Sequence, residues 1–193
     1  IKNLWVKNNK KIYKNELRPL IDNLDALPLP DYELFDDKIF YRPYHGELIR
    51  AIDYEFSRGC YYNCTYCISP TLRKLYGSPK KYRRERSVEK IIADLSFLKK
   101  KYNLQMVKFL DELFLGLSEE KLERLSSAYA KKVGLPFIME TTVNSITERK
   151  LKYLKKMGCL SMSLGIESGN DKFRIKILKK NVTSKQVIDK INL

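Results

Sequence analysis

The chain has 193 residues, 44% of them hydrophobic, enough for one domain with a substantial core and too apolar for a disordered segment. No run approaches the ~20 apolar residues of a membrane span, and no secretory signal opens the sequence. The net charge of +15 is compatible with a nucleic-acid partner, but the less demanding explanation is cations at helix ends.

Residues 1–17 read as a hairpin, with Trp5, Val6, Ile12 and Tyr13 around a polar turn at Asn8-Asn9-Lys10. Residues 21–31 contain Pro28 and Pro30, which disfavour helix, and form an apolar linker expected to lie along a surface. We therefore divide the chain into a hairpin and proline-containing linker, 1–50, and a core, 51–193. Strands are expected over 51–57, 106–110, 137–141 and 160–166. Helices are expected over 87–101, with Ile91, Ile92, Leu95 and Leu98 on one face, and over 118–133, with Leu122, Leu125 and Tyr129. Ser145-x-x-Glu148 reads as a capping box for a third helix ending at Gly158, and 183–192 begins a fourth. Lys99-Lys100-Lys101, Lys131-Lys132 and Lys155-Lys156 fall where helices end.

This alternation predicts an α/β fold with parallel strands and right-handed crossovers, in which ligands gather at the C-terminal strand ends. Those ends carry Gly59, Asp111 and Glu112, Thr142 and Asn144, and Glu167. Thr142 and Asn144 read first as residues that turn the chain. Cys159 reads as a core residue, His45 as structural or a substrate neighbour, and Arg174 as part of a solvated helix start.

Three of the four cysteines, Cys60, Cys64 and Cys67, lie within one short stretch. That crowding argues against a disulfide framework and for reduced thiols in a cytoplasmic protein. A structural zinc site usually closes with four protein ligands, whereas a cubane held by three thiolates leaves one iron open. The spacing C-x3-C-x2-C, with Tyr66 before the last cysteine, resembles the signature of the radical S-adenosylmethionine (SAM) superfamily. "F-x-D-E-x-F" at Phe109–Phe114 and "G-I-E-S-G" at Gly165–Gly169 resemble strand-end motifs of its cobalamin-linked branch. The hairpin followed by "NLDALPLPDYELF" resembles the connector after the cobalamin-binding domain of such proteins.

The resemblance implies a [4Fe–4S] cluster on Cys60, Cys64 and Cys67, with SAM on the remaining iron. Asp111 and Glu112 would accept hydrogen bonds from the SAM amino group, Glu167 would contact the ribose hydroxyls, and Tyr66 would lie near the adenine. It implies a parallel-stranded partial TIM-type barrel, here ending after about four βα units and read as a piece of a longer protein. It also implies reductive cleavage of SAM, cobalamin held by a domain outside this chain, and an external flavodoxin- or ferredoxin-like electron donor. Methyl transfer and ring rearrangement are the branch's reactions. The substrate, a small molecule or RNA, and the residue that would handle protons stay open. The alternatives are an RNA-modifying, methylthiotransferase-like radical SAM enzyme and, behind it, a zinc-stabilised nucleic-acid-binding module that would also use Cys159.

Overall fold

The structure, a computed structural model, describes residues 1–77 and 82–193. β1 (Trp5–Asn8) and β2 (Lys11–Lys14) form the expected N-terminal hairpin, with Asn9 at φ +54° in its turn. Asparagine tolerates that left-handed backbone because its short side chain bonds locally. Three 3-10 turns follow, at Leu24–Ala26, Tyr32–Leu34 and Asp37–Phe40. Asn23, Asp31 and Asp36 start them by accepting the N–H two residues on. Leu24 and Phe40 are buried, and Phe40 stacks on Tyr102 at 4.5 Å between centroids, so the linker does lie along the core's surface.

The next element departs from the sequence reading. β3 (Tyr41–Tyr44) pairs antiparallel with β4 (Glu47–Tyr54), so the strand expected to begin at 51 begins at Glu47. The division at residue 50 leaves this stretch with the linker, yet β3 forms there as an edge strand, where the missing N–H of Pro43 is tolerated. His45 and Gly46 form the turn at φ +49° and +79°, a backbone that matches strand twist. His45 is thus a turn residue at the far end of β4 from the strand-end rim. The expected strand also stops at Tyr54; Ser57–Arg58 is a separate strand, β5. α1 (Ser69–Leu75), absent from the sequence reading, separates it from its antiparallel partner β6 (Arg84–Glu85).

The alternation then follows expectation through α2 (Val88–Tyr102), β7 (Met106–Phe109), α3 (Glu119–Lys132), β8 (Phe137–Thr141), α4 (Glu148–Met157), β9 (Cys159–Leu164) and α5 (Ser184–Ile191). Ser87, Ser118, Thr147 and Thr183 cap the four long helices, each hydroxyl accepting the N–H three residues on. For α4 this corrects the capping box expected at Ser145. That hydroxyl already donates to Thr142 O at 2.7 Å, and Thr147 takes the cap. Gly158 ends α4 at φ +88°.

The five-stranded sheet runs β3-β4-β7-β8-β9, with every pair but β3–β4 parallel. This is the expected α/β class. Ile52, Tyr54, Val107, Phe109, Phe137 and Met139 turn one face into the core beneath α2, α3 and α4. By alternation, Asp53, Lys108 and Glu140 stand on the other face. Among the described residues no helix is long and apolar enough to cross a membrane.

Phe109, fully buried, sits at the centre of an aromatic cluster. Its ring lies 5.0 Å from Phe114, 5.2 Å from Phe137 and 5.8 Å from Phe56. Edge-to-face pairs of this kind add to the burial term. Phe109→Ala should therefore cost about 3–5 kcal/mol in urea denaturation. A loss under about 1 kcal/mol would show that the cluster is not the core's centre.

Candidate active site

The strand ends of the parallel sheet meet at one rim. After β5 the chain enters the loop containing Cys60, Cys64 and Cys67 and leaves it through α1. All three thiols line a single cavity of about 410 Å³. Glu112 after β7, Thr142 and Asn144 after β8, and Gly165 and Glu167 after β9 line the same cavity.

The loop's shape is imposed from outside it. Arg73 on α1 donates to Cys60 O at 3.0 Å and Tyr62 O at 3.4 Å, and also to the Asn63 side chain. Thr65 donates its N–H to Leu178 O at 3.0 Å and its hydroxyl to Ile177 O at 2.8 Å. The Ser69 N–H reaches the Cys67 sulfur at 3.5 Å. Burial pushes the Cys60 thiol above its usual range.

The neighbours Asp111 and Glu112 part company. Glu112 faces the cavity and accepts the Gly59 N–H at 2.8 Å. Asp111 is 1% exposed and does not line the cavity. Its Oδ1 accepts the N–H of Phe56 at 3.2 Å, the N–H of Ser57 at 2.6 Å and the Ser57 hydroxyl at 2.5 Å, while Oδ2 is buried without a partner among the described residues. The phenylalanines that flank this loop, Phe109 and Phe114, are its anchors in the core.

Glu167 takes a left-handed backbone, φ +67°, and its Oε1 accepts from Lys180 Nζ at 3.2 Å. Lys180, only 8% exposed, also donates to the Tyr66 hydroxyl at 3.3 Å. A Cβ at Gly165 would lie 2.5 Å from Glu167 Oε1 and 2.8 Å from Lys180 Nζ, so a larger residue there would have to push these two side-chain ends aside. Lys180 was not singled out from the sequence, where it is one of 38 basic residues. It arrives because residues 168–184 fold around Arg174. That side chain is fully buried and donates to Val182 O at 2.7 Å, to Ser184 Oγ at 3.1 Å, and to Ser168 O and Asp171. The expected solvated helix start is instead a π-helical turn, Phe173–Ile177. Asn144 ties the β8 loop to this segment through Asn181 O at 2.8 Å. Cys159 opens β9 and packs against the core, at the opposite end of the strands from the thiol loop.

The profile of the radical SAM superfamily matches residues 54–193. The chain belongs to the radical SAM superfamily. Across 97% of its length it is 30% identical to an uncharacterised methyltransferase of Pyrococcus horikoshii, of which it covers 39%. Over 72% of its length it is 29% identical to the ribosomal protein uS12 methylthiotransferase RimO of Clostridioides difficile, covering 31% of that protein. Its fold resembles that of OxsB, a cobalamin-dependent SAM radical enzyme, with TM-score 0.66 and 21% identity over 95% of this chain and 26% of that one. It also resembles the radical SAM methyltransferase TsrM of Kitasatospora setae, with TM-score 0.56 and 15% identity over 74% and 28% of the two chains. The parallel-dominant α/β fold is therefore that of part of a radical SAM enzyme, since the chain spans well under half of each relative.

Burial dominates at Asp111 and pushes its carboxyl from 3.8 up to about 7, against the Ser57 bonds that lower it. A carboxyl whose pKa rises on folding supports the fold fully below its unfolded pKa, and that support is lost as pH rises through the folded value. The stability advantage of the wild type over Asp111→Asn, which is neutral at every pH, should shrink from about pH 4 to about pH 7 and then level off. A pH-independent difference in urea midpoints would contradict this assignment.

Proposed function

We propose that the chain forms the SAM-binding core of a radical SAM enzyme, with a [4Fe–4S] cluster on Cys60, Cys64 and Cys67. The observation that carries this reading is that three thiols of one short loop and the carboxylates of Glu112 and Glu167 open onto one cavity. The donor set suits the cluster. Among the described residues no three His, Cys, Asp or Glu side chains converge closely enough for a single ion, whereas a cubane takes each thiolate on a different iron. When bound, the cluster supplies an electron and SAM supplies the methyl or 5′-deoxyadenosyl group.

The chain's own side chains bind, orient and exclude water. Glu112 keeps Oε1 for an ammonium donor while Oε2 holds Gly59. Glu167 offers its carboxylate to ribose hydroxyls, and Lys180 offers an ammonium to a carboxylate. Tyr66 presents an aromatic ring at the cavity wall. Asp111, buried behind Glu112, acts on the loop backbone and not on SAM.

We assign the activity to the cobalamin-linked branch, as methyl transfer or rearrangement, with cobalamin held outside this chain and a flavodoxin- or ferredoxin-like donor reducing the cluster. The connector sequence, the two strand-end motifs and the likeness to a named methyltransferase support this reading. The likeness to a methylthiotransferase favours a second reading, methylthio transfer.

Anaerobic reconstitution should load about four irons and four sulfides per chain, and Cys60→Ala, Cys64→Ala or Cys67→Ala should each abolish stable loading. Glu167→Gln should keep the cluster and weaken SAM binding about tenfold, as loss of a charge-assisted hydrogen bond predicts. Stoichiometric zinc in place of iron would overturn the reading.

A further inference from the structure

We infer that Arg83 is a positioning residue that sets the separation between the thiol loop and the cavity carboxylate Glu112. Gly59 precedes the first cysteine, and both of its peptide groups are tied to the loop after β7. Its N–H donates to Glu112 Oε2 at 2.8 Å. Its carbonyl accepts from Arg83 Nη1 at 3.1 Å, while Arg83 Nη2 donates to Leu113 O at 3.1 Å. One guanidinium thus bridges the carbonyl beside Cys60 and the carbonyl beside Glu112. Its planar fork fixes the spacing of the two N–H groups, which a lysine ammonium cannot do.

The guanidinium is itself held from three sides. Glu85 pairs with Nη2 at 2.9 Å and accepts from Nε at 3.1 Å, and Glu85 is in turn paired with Lys121 of α3 at 2.9 Å. Gly116 leaves room for it, since a Cβ there would lie 2.7 Å from Arg83 Cζ. The clasped peptide cannot relax either. Gly59 sits at φ +92°, and a Cβ on it would lie 2.6 Å from Tyr82 O. A purely structural ion pair would need only Glu85. The two bonds to carbonyls flanking the site are what assign the positioning role. The thiol loop has separate supports in Arg73 and Thr65, so losing Arg83 displaces Glu112 from the thiols without dismantling the loop.

This inference rests on the cavity being the SAM site, and the test separates the two claims. Iron content and the SAM dissociation constant are measured on the reconstituted full chain. Arg83→Met should load iron like the wild type and bind SAM at least about tenfold more weakly. Glu85→Gln, which leaves both carbonyl bonds, should stay within about threefold of the wild type. Gly116→Ala, which pushes the guanidinium aside, should weaken SAM binding in the wild type but add nothing in the Arg83→Met background. It also serves as the test if Arg83→Met does not fold. Leu95→Ala in α2 controls for lost stability and should leave SAM affinity unchanged. Wild-type affinity in Arg83→Met, joint loss of iron and SAM, or additive effects of Gly116→Ala would each overturn the positioning role. A wild-type chain that loads iron but ignores SAM would instead overturn the reading of the cavity.

Discussion

Asp111 Oδ1 gathers two backbone N–H groups and one hydroxyl from Phe56 and Ser57, and the rest of the site is built outward from that junction. It fixes the end of β7 to the start of the thiol loop in a setting where an ionised carboxylate is costly and a lost acceptor would strand buried donors. From there Glu112 and Arg83 hold the peptide of Gly59, and Cys60 follows with its direction decided. On the far side of the loop, Thr65 and Tyr66 are tied to Ile177, Leu178 and Lys180. The cavity is therefore a junction of chain segments that are distant in sequence, several of them fastened to one another by hydrogen bonds to backbone. Phe109 and Phe114 connect this junction to the core, so the same motif that presents Glu112 also supplies the packing that keeps it in place.

Much of this was legible in the sequence where local pattern and tertiary environment agree. The periodic apolar faces of α2 and α3 and the hydroxyls before them located those helices within a residue or two, because caps and burial act on the same segment. The thiol spacing pointed to a loop whose three cysteines line one cavity. β3 falls within residues grouped with the linker; its pairing with β4 is a tertiary fact, and that it is an edge strand, able to carry Pro43, cannot be read locally. The cap of α4 was placed two residues early because Ser145 and Thr147 offer similar hydroxyls, and only the fold shows that one is engaged with Thr142.

The strand-end acids were found as a pair, but the sequence does not distinguish Asp111, which faces inward, from Glu112, which faces the cavity. Lys180 and Arg83 carried no signal at all. Each is a cation in a strongly basic chain, and each acquires meaning only through partners far away in sequence, Tyr66 and Glu167 for one, Gly59 and Leu113 for the other. Arg174 inverted its expected role for the same reason, since its partners are carbonyls and hydroxyls that its own loop brings together. Some of the basic residues do serve the plainer purpose expected from composition. Lys99 donates to Val133 O at 2.5 Å at the end of α3, and Lys99, Lys100 and Lys101 occupy the last turn of α2.

The central claim is that the three thiols leave an iron open to a ligand held by this cavity. Electron paramagnetic resonance of the reconstituted, reduced chain, recorded with and without SAM, tests it most directly. A [4Fe–4S]+ signal whose g-values shift on adding SAM is the predicted result. A cluster signal unchanged at saturating SAM would contradict the claim.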